Sequence, residues 1–309
     1  DSKPALLALI NPRTRHYIDF YQDDNYCCVV LSHNHLLKVC AYLAGERAAL
    51  KGTRTITAMH TGAISHALSV GITMEPFDSV KQCHWLDDVV SGLASSSTRL
   101  GKPIVSGYLR ILFQPKTKKG NKSIQNQLLA TDLGILYYNI YQHGRLRPGV
   151  RLVYFGCPVL HTGLGLNPWV DDDGSREGKQ LFPYTKPESL LRFERLVHAC
   201  LALGKDNPIL DIEMIAEGGL AGAVRQVAQT SGNGVEVEIR HVPVSGQFMS
   251  AHDIWLSESG GRFLVLVEDI HIPLLFDYAG RERCDFAVIG QITTEPYIRV
   301  NDEDLGRDI

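Results

Sequence analysis

Three consecutive aspartates form the best candidate for a protein-binding surface in this sequence. Asp171, Asp172 and Asp173 follow Trp169 in a polar segment, residues 167–178 (NPWVDDDGSREG). Carboxylates beside an apolar anchor suit a basic partner, because the anchor excludes water while the acids attract Lys or Arg side chains. The alternative is a solvated acidic turn whose Trp169 packs into the protein's own core. The residue types allow both interpretations.

Two other groups of reactive or charged residues point to no chemistry. Residues 116–122 (KTKKGNK) are basic but contain no aromatic residue for stacking, so they favour a solvated turn over a phosphate-binding patch. The seven cysteines form no CxxC pair, and Cys27 and Cys28 are adjacent. An odd count without a spacing framework is typical of a reducing compartment, and we expect buried, unreactive thiols and no metal site.

The apolar periodicity predicts strands that alternate with helices through a long second half, which is typical of a mixed α/β fold. Turn residues at Arg147-Pro148-Gly149 place a domain boundary there, with an N-terminal domain at 1–147 and a C-terminal domain at 148–309. Strands are predicted at residues 26–31, 150–155, 209–212, 235–239, 263–267 and 287–292, and helices at residues 79–97, 187–204, 217–229 and 270–278.

The predicted strand at 150–155 is apolar on both faces, with Arg151 as its interruption. Each face must therefore be covered, either by the rest of the fold or by a partner. Val150 and Leu152 share one face by alternation. They extend the acidic surface if that face meets a partner, and they belong to the core if it does not.

Composition sets further bounds. The 309 residues are 44% hydrophobic and carry a net charge of −3, so no global field attracts nucleic acid or an anionic membrane. The longest apolar runs are the length of strands, well short of the ~20 residues of a membrane-spanning helix. The chain opens with Asp1-Ser2-Lys3-Pro4, which lacks the order of a signal peptide and suggests a fragment of a longer protein.

Eight short segments, in collinear order, carry a family resemblance. Over residues 28–302 they resemble the synthetase domain of formylglycinamidine ribonucleotide synthase, an amidotransferase of purine biosynthesis. The segments are residues 32–34 (SHN), 100–108 (LGKPIVSGY), 147–159 (RPGVRLVYFGCPV), 204–209 (GKDNPI), 218–219 (GG), 255–259 (WLSES), 281–284 (RERC) and 287–290 (AVIG).

The resemblance implies the fold of the aminoimidazole ribonucleotide synthase superfamily. In that fold an N-terminal α/β domain holds its strands in a barrel-like sheet, and the C-terminal domain is an α/β sandwich. The family's reaction activates an amide oxygen with ATP and displaces phosphate with ammonia. It requires a glycine-rich cradle for phosphate and acidic ligands for Mg²⁺.

The chain departs from the family at these charge-handling positions. Residues 44–55 (AGERAALKGTRT) stand where the family has a glycine-rich cradle, and residues 44–51 favour a helix by propensity. Met214 stands where a metal ligand is expected, and a thioether suits a hard cation poorly. Glu213 or Glu217 is the possible substitute. Residues 163–170 (GLGLNPWV) have lost a phosphate-binding loop, since Pro168 removes an N–H donor.

Five residues that match functional positions of the family remain, and we interpret them as vestigial: His33, Asn34, Arg54, Glu258 and Arg262. His33 matches the family's catalytic histidine, but the groups that would bind its substrates are replaced. The resemblance therefore predicts a chain that is not an enzyme and has no catalytic residue, no cofactor and no metal ion.

Degenerate copies of this synthase occur as large tegument proteins of gammaherpesviruses, and the chain resembles that group. The resemblance implies a viral protein of the virion tegument and the host nucleus that counters chromatin silencing at PML nuclear bodies. Its expected partner is a DAXX-type histone chaperone, with or without histone H3.3–H4, and it contacts neither nucleic acid nor membrane directly. The alternatives are an active formylglycinamidine ribonucleotide synthase domain and a structural tegument protein without a specific host target.

Overall fold

The structure of the chain is a computed structural model. For residues 7–11, 16–22, 27–36, 81, 82, 136, 307 and 308 the structure gives the backbone alone. The structure describes residues 7–11, 16–22, 27–36, 41–59, 62–74, 76, 80–112, 126–136, 146–160, 186–216, 218–245, 249–303 and 307–308.

The chain divides into two compact units. The first comprises residues 1–56 and 64–136, and the second comprises residues 57–63 and 137–309. The boundary predicted between residues 147 and 148 falls inside the second unit, in the turn before its first strand.

A six-stranded sheet forms the first unit. Its strand order is β1-β2-β3-β6-β4-β5, and neighbours are antiparallel except for β4 and β5, which run parallel. The strands are β1 (Leu7–Asn11), β2 (His16–Gln22), β3 (Cys27–Leu36), β4 (Ile64–Met74), β5 (Ile104–Ile111) and β6 (Gln127–Leu136); the helices are α1 (Ala41–Thr57) and α2 (Val80–Leu100).

Small and branched apolar side chains join these helices to one face of the sheet. Ala48 and Ala49 of α1 and Leu93 of α2 are buried with apolar residues of β4 and β6 in one cluster. Alanines keep α1 close to the sheet and also favour the helix by propensity. Helical spacing predicts Trp85, Val89, Val90 and Leu93 on one apolar face of α2, but Val90 is exposed.

A seven-stranded sheet forms the second unit. Its order is β13-β12-β9-β11-β7-β10-β8, antiparallel except for the pair β9 and β12. The strands are β7 (Arg151–Gly156), β8 (Ile209–Ile215), β9 (Gly234–Glu238), β10 (Arg262–Val267), β11 (Phe286–Thr293), β12 (Ile298–Asp302) and β13 (Arg307–Asp308); the helices are α3 (Pro187–Leu201), α4 (Gly219–Ser231), α5 (Ala251–Leu256) and α6 (Ile272–Glu282).

Both faces of this sheet are covered at its centre. One face packs against α4 and α5 in a core of aliphatic residues. On the other face aromatic rings of the sheet meet those of α3 and α6. Phe193 of α3 stacks on Phe263 with 4.0 Å between ring centroids, and Phe276 of α6 meets Phe286 edge-on at 4.8 Å. Every residue of β10 is buried, as a central strand between two covered faces must be.

Strand β7 confirms one expectation and corrects another. Five of its six residues are buried, so the prediction of a strand covered on both faces is confirmed. Val150 and Leu152, however, lie in the core shared with α4 and α5 and are 1% and 0% exposed. The two residues therefore belong to the core and not to the predicted partner-binding surface, because the fold itself covers this face.

The mixed α/β class predicted from the sequence is confirmed, as are the helix and strand types of the second half. Helix α3 begins at Pro187, where the fixed φ of proline suits the first turn, and α4 ends at Gly232 with φ +67°. The predicted helix at 270–278 begins instead with a 3-10 turn, Asp269–His271, before α6. Among the described residues, no helix is both long and apolar enough to cross a membrane.

The cysteines agree with the predicted burial except at one position. Four of them have described side chains, all free thiols. Cys157, Cys200 and Cys284 are buried, whereas Cys83 on α2 is exposed. Burial raises the pKa of Cys200 and of Cys284 to about 12, so both thiols stay protonated and unreactive near neutral pH.

A buried carboxyl group lies between α1 and the first sheet. Asp132 of β6 is fully buried and sits over Gly52, where a Cβ would lie 1.5 Å from its Oδ2. Burial raises the pKa of Asp132 well above its usual range; the neighbouring Thr53 and the positive charge of Lys102 act in the opposite direction.

We predict that Asp132→Asn stabilises the chain increasingly as the pH rises. The folded state holds the Asp132 proton more tightly than the unfolded state. The parent therefore loses stability from the ordinary carboxyl pKa of about 4 upward through the raised folded value. Urea unfolding of parent and variant at several pH values between about 5 and 9 measures the difference. Asp88→Asn, at an exposed position of α2, is the control. A difference that stays constant with pH contradicts the prediction.

Candidate functional site

The candidate site lies at one end of three neighbouring strands of the second sheet, β7, β10 and β8. Strand β10 runs antiparallel to both of its neighbours, so its first residue meets the last residues of β7 and β8. Arg262 pairs with Gly156 on one side and with Ile215 on the other. The segments that follow β7 and β8 and the segment that precedes β10 therefore converge at this edge, which is where α/β folds place ligands.

Two glycines bring the first pair of segments into contact. Gly156 has φ +109°, and a Cβ there would lie 2.0 Å from the carbonyl oxygen of Gly261. That same oxygen accepts a hydrogen bond from the N–H of Cys157 at 3.3 Å. Glycine at 156 is required on both grounds, since an L side chain disfavours this φ and has no space.

The turn between β8 and α4 contributes the second side of the site. Gly218 and Gly219 have φ +80° and +62°, and Gly219 packs against the backbone of Leu256 and Ser257. The N–H of Gly218 donates to Oε1 of Glu258 at 2.8 Å. The carboxylate of Glu258 thus accepts the hydrogen bond of an amide at the N-terminus of α4, where the helix dipole favours negative charge.

Two serines join the remaining segments. Ser257 donates from Oγ to the carbonyl oxygen of Leu160 at 3.0 Å, and Oγ of Ser259 accepts from the N–H of Leu160 at 3.4 Å. The two hydroxyl oxygens lie 3.2 Å apart. Both side chains are fully buried. The segment after β7 is therefore held in place up to residue 160.

Arg262 is the largest fully buried side chain of the described residues. Its Nε donates to the carbonyl oxygen of Ser259 at 2.7 Å, and its Nη2 donates to the carbonyl oxygen of Ser257. Desolvation by burial lowers the pKa of Arg262, and the nearby Tyr154 and Glu258 oppose that change. The guanidinium therefore binds the protein's own backbone and stabilises the turn that carries Glu258.

Tyr154 completes this polar cluster beneath the site. Its hydroxyl donates to the carbonyl oxygen of Cys157. Burial raises the pKa of Tyr154, while the neighbouring Arg262 lowers it. Tyr154, Ser257 and Ser259 were not among the site residues predicted from the sequence, although they lie in the segments 147–159 and 255–259 that carry the family resemblance. One signal was present for Tyr154, a phenol among the otherwise apolar buried residues of β7, because a buried hydroxyl needs a partner.

The structure brings some of the predicted site residues together. Glu258 and Arg262 lie in the same turn and interact electrostatically. His33 and Asn34 lie in β3, where their backbones pair with Ala130 and Leu129 of β6; their side chains lie outside the description. Arg54 is half-buried in the last turn of α1. Five predicted positions lie outside the described residues: Trp169, Asp171, Asp172, Asp173 and Glu217.

Residues 44–51 are helical, as their propensities predicted. They form the middle of α1. The glycine in this stretch has a packing role, since a Cβ on Gly45 would lie 2.2 Å from the carbonyl oxygen of Val89 in α2. A Cβ on Gly92 of α2 would likewise lie 2.0 Å from the carbonyl oxygen of Tyr42. Glycines here allow two helices to approach closely.

The described residues do not fit a bound divalent cation. Met214, at the position matched to a metal ligand, is a half-buried residue of β8 paired with Phe263. Within the described ranges, no group of three His, Cys, Asp or Glu side chains is placed to hold a metal ion. Hard cations of this kind require several oxygen ligands.

Comparison with known families and structures gives one family match and many fold matches. Residues 147–303 match the family described as AIR synthase related protein, C-terminal domain. This range begins at the predicted domain boundary and contains the whole candidate site.

The chain is also similar to several solved structures. PurL of Thermotoga maritima complexed with ATP has a TM-score of 0.70 at 17% identity, over 98% of this chain and 46% of that one. Phosphoribosylformylglycinamidine synthase II from the same organism has a TM-score of 0.67 at 17% identity, over 93% and 44%. HypE of E. coli, a hydrogenase maturation protein, has a TM-score of 0.65 at 18% identity, over 91% and 84%. These likenesses show the fold, and the chain spans less than half the length of the two synthase structures.

Proposed function

Because the chain belongs to the AIR synthase related proteins through its C-terminal domain, we propose that it uses this fold as a protein-docking module and does not catalyse ATP-dependent synthesis. The observation that carries the proposal is the bond from the Gly218 N–H to Glu258. A phosphate bound at the start of α4 must displace a carboxylate that is already in place, and two anions there repel each other.

The first unit supports the same conclusion by a different route. Phosphate cradles expose backbone N–H groups in a glycine-rich loop. Residues 44–51 are in the interior of α1, where N–H groups are bonded to carbonyl oxygens one turn earlier. Their glycine, Gly45, touches α2. A stretch of this kind has no backbone N–H groups left to bind an anion.

The polar groups of the candidate site also form hydrogen bonds within the chain. Arg262 donates to two carbonyl oxygens, and Ser257 and Ser259 bond to Leu160. These groups stabilise the edge where β7 and β8 end. They fix the chain as far as Leu160, eleven residues before Asp171 in sequence.

We propose a basic partner for that acidic segment. Asp171, Asp172 and Asp173 lie close together in sequence with Trp169, which supplies an apolar anchor. By resemblance to gammaherpesvirus tegument proteins, the partner is a DAXX-type histone chaperone, alone or with histone H3.3–H4, and the place of action is the host nucleus after delivery in the virion tegument. A histone, or a helix that carries Lys or Arg side chains, complements this charge.

The first test is the binding of ATP with Mg²⁺. We expect no saturable heat of binding up to about 1 mM ATP in isothermal titration calorimetry, since the proposed docking module has neither cradle nor metal ligands. Thermotoga maritima PurL, whose structure contains ATP, serves as the positive control. Magnesium-dependent binding tighter than this limit contradicts the proposal and favours the alternative, an active formylglycinamidine ribonucleotide synthase domain.

The second test concerns the acidic segment. We expect the double substitution Asp172→Asn and Asp173→Asn to weaken capture of a DAXX-type chaperone by about 30-fold or more, because loss of interfacial charge pairs typically costs ~2–5 kcal/mol. Affinity is measured by biolayer interferometry, and circular dichroism checks the fold.

A matched control separates the site from the net charge. Asp87→Asn with Asp88→Asn removes the same two charges from an exposed pair on α2 and should leave the affinity unchanged. Unchanged binding by the Asp172 and Asp173 variant means that the segment is a solvated turn. Equal loss in both variants means that the attraction is nonspecific.

A further inference from the structure

Two cysteines lie opposite each other where β7 ends and β11 begins. The two strands are antiparallel neighbours, with Cys157 directly after β7 and Cys284 shortly before β11. The N–H of Gly156 donates to the carbonyl oxygen of Asp285 at 3.1 Å, so the antiparallel pairing continues beyond the first residue of β11. The next residue along each segment is a cysteine, and the register therefore pairs Cys157 with Cys284.

The backbone hydrogen bonds bring the two cysteines close together. Along an antiparallel pair, hydrogen-bonded positions alternate with positions at which neither N–H points to the other strand. The N–H of Cys157 donates to the carbonyl oxygen of Gly261 at 3.3 Å, on the side of β10, and the N–H of Cys284 donates to the carbonyl oxygen of Ala279 in α6 at 2.9 Å. Opposite Cα atoms lie about 4.5 Å apart at positions of this second kind, within the range that a disulfide spans.

The side chains of the two cysteines point to the same face of the sheet, as those of opposite residues do. Phe155 and Phe286, an opposite pair at the end of the same ladder, have ring centroids 5.7 Å apart. Burial is the main cause of the raised pKa of Cys284, and the proximity of Cys157 contributes to it. The two thiols are therefore within electrostatic range of each other.

Neither thiol of the pair is completely enclosed. Cys157 is 9% exposed and Cys284 is 7% exposed, whereas Cys200 on α3 is 0% exposed. Cys83 is exposed but belongs to the first unit. A small oxidant therefore reaches the pair more readily than it reaches Cys200, and the register holds a second thiol beside the first.

We propose that Cys157 and Cys284 form a redox-responsive site, which a small-molecule disulfide oxidises to a disulfide bond between β7 and β11. The thiolate of Cys157 attacks one sulfur of the oxidant, which gives a mixed disulfide and releases one small thiol. Cys284 then loses its proton to solvent and attacks the sulfur of Cys157, which forms the protein disulfide and releases the second small thiol. The protein loses two electrons and two protons, and the small molecule gains them. A reducing thiol reverses both steps.

The order of attack follows from the burial of Cys284. Burial raises the pKa of this thiol to about 12, so it is unreactive toward an oxidant in solution near neutral pH. A mixed disulfide on Cys157 is held directly opposite Cys284, and this proximity replaces a bimolecular step with one inside the chain. Cys157 therefore reacts first and Cys284 closes the bond.

The disulfide fixes one corner of the candidate site. Cys157 already donates its N–H to Gly261, and its carbonyl oxygen accepts the hydroxyl of Tyr154. Cys284 directly follows the C-cap of α6. Oxidation therefore ties the end of β7 to the end of α6, and it closes a long loop that constrains the unfolded chain. We expect the oxidised chain to resist unfolding more than the reduced chain.

Peptide mapping tests the site directly. Trypsin releases Cys157 in residues 152–176 and Cys284 in residues 284–299, and each peptide contains one cysteine. The folded 309-residue chain is incubated with excess oxidised glutathione, unfolded in urea with iodoacetamide and digested without reductant. Mass spectrometry should detect the two peptides joined by a disulfide, and dithiothreitol should separate them.

The exposed Cys83 serves as the control for the oxidant, because it should carry glutathione under the same conditions. The proposal is overturned if Cys83 is modified while Cys157 and Cys284 are recovered as alkylated thiols. It is also overturned if Cys157 keeps glutathione without closing the bond, or if either cysteine joins a different one.

Thermal unfolding of matched variants tests the effect of the bond on the folded chain. Oxidation should raise the melting temperature of the parent by about 5 °C. Cys157→Ala and Cys284→Ala should each abolish this rise, whereas Cys200→Ala, at a buried position of α3, should retain it. A rise that persists in Cys157→Ala or in Cys284→Ala comes from other cysteines and contradicts the proposal.

Discussion

Replacing Arg262 with alanine should lower the free energy of unfolding by about 3–5 kcal/mol, because two buried carbonyl oxygens lose charged donors and the side chain leaves a cavity. The carbonyl oxygens are those of Ser257 and Ser259. Tyr154 also loses the neighbouring positive charge. The effect is large because no water reaches this position to replace the guanidinium.

Chemical unfolding in urea measures this loss, and an exposed arginine supplies the control. Arg225→Ala on α4 should change the free energy of unfolding by less than about 0.5 kcal/mol, as surface substitutions usually do. Arg262→Lys should be intermediate, since an ammonium replaces one of the two donors without the fork geometry. If Arg262→Ala unfolds at the same urea concentration as Arg225→Ala, the cluster beneath the site contributes little to stability.

Replacing Gly219 with alanine should lower the free energy of unfolding by about 4 kcal/mol, because the new Cβ meets main-chain atoms that cannot rotate away. The Cβ would lie 2.6 Å from the carbonyl carbon of Leu256 and 2.6 Å from the carbonyl oxygen of Ser257. Helix α4 or the turn after α5 must shift to make room. A shift of that kind also separates Gly218 from Glu258.

Gly232 provides a matched comparison at the other end of α4. It has φ +67°, close to the φ +62° of Gly219, but no heavy atom lies within 4 Å of its Cβ position. Gly232→Ala should therefore cost about 1–2 kcal/mol, the price of the left-handed conformation alone. The difference in free energy of unfolding between the two variants, measured by heat or urea, gives the cost of the steric clash at Gly219. Equal losses would show that Gly219 is required for its φ and that the packing around it adapts.

The two substitutions bear on the docking proposal because they act at the candidate site, which holds the chain at Leu160, ahead of the acidic residues in sequence. Arg262 and Gly219 support the turn that carries Glu258. A destabilised edge should weaken partner capture even where the acidic residues are intact. Comparing the melting temperature of each variant with its affinity for the partner therefore distinguishes loss of the fold from loss of a contact with the partner.

Local sequence determined the type of most elements in the second half. Pro187 begins a helix because its φ is fixed and its missing N–H is not needed there, and Gly232 ends one because it adopts the left-handed conformation. Residues 44–51 are rich in alanine and are helical for the same local reason. The unbroken apolar run of β10 marked a strand buried on both sides. Each of these features depends on neighbours within one turn or one strand.

Tertiary structure decided which groups meet and which face is covered. Alternation placed Val150 and Leu152 on one face but could not identify what covers it, and that depends on α4 and α5, whose residues lie far along the chain. The short helix α5 went unpredicted because six residues carry too little periodicity to identify a helix.

The candidate site follows the same rule. Glu258 reaches the Gly218 N–H across forty residues, and Arg262 meets Gly156 only because β10 lies beside β7. Such contacts are set by strand order, which no local pattern encodes. The residue types of the site were therefore visible in the sequence, but their partners were decided by the fold.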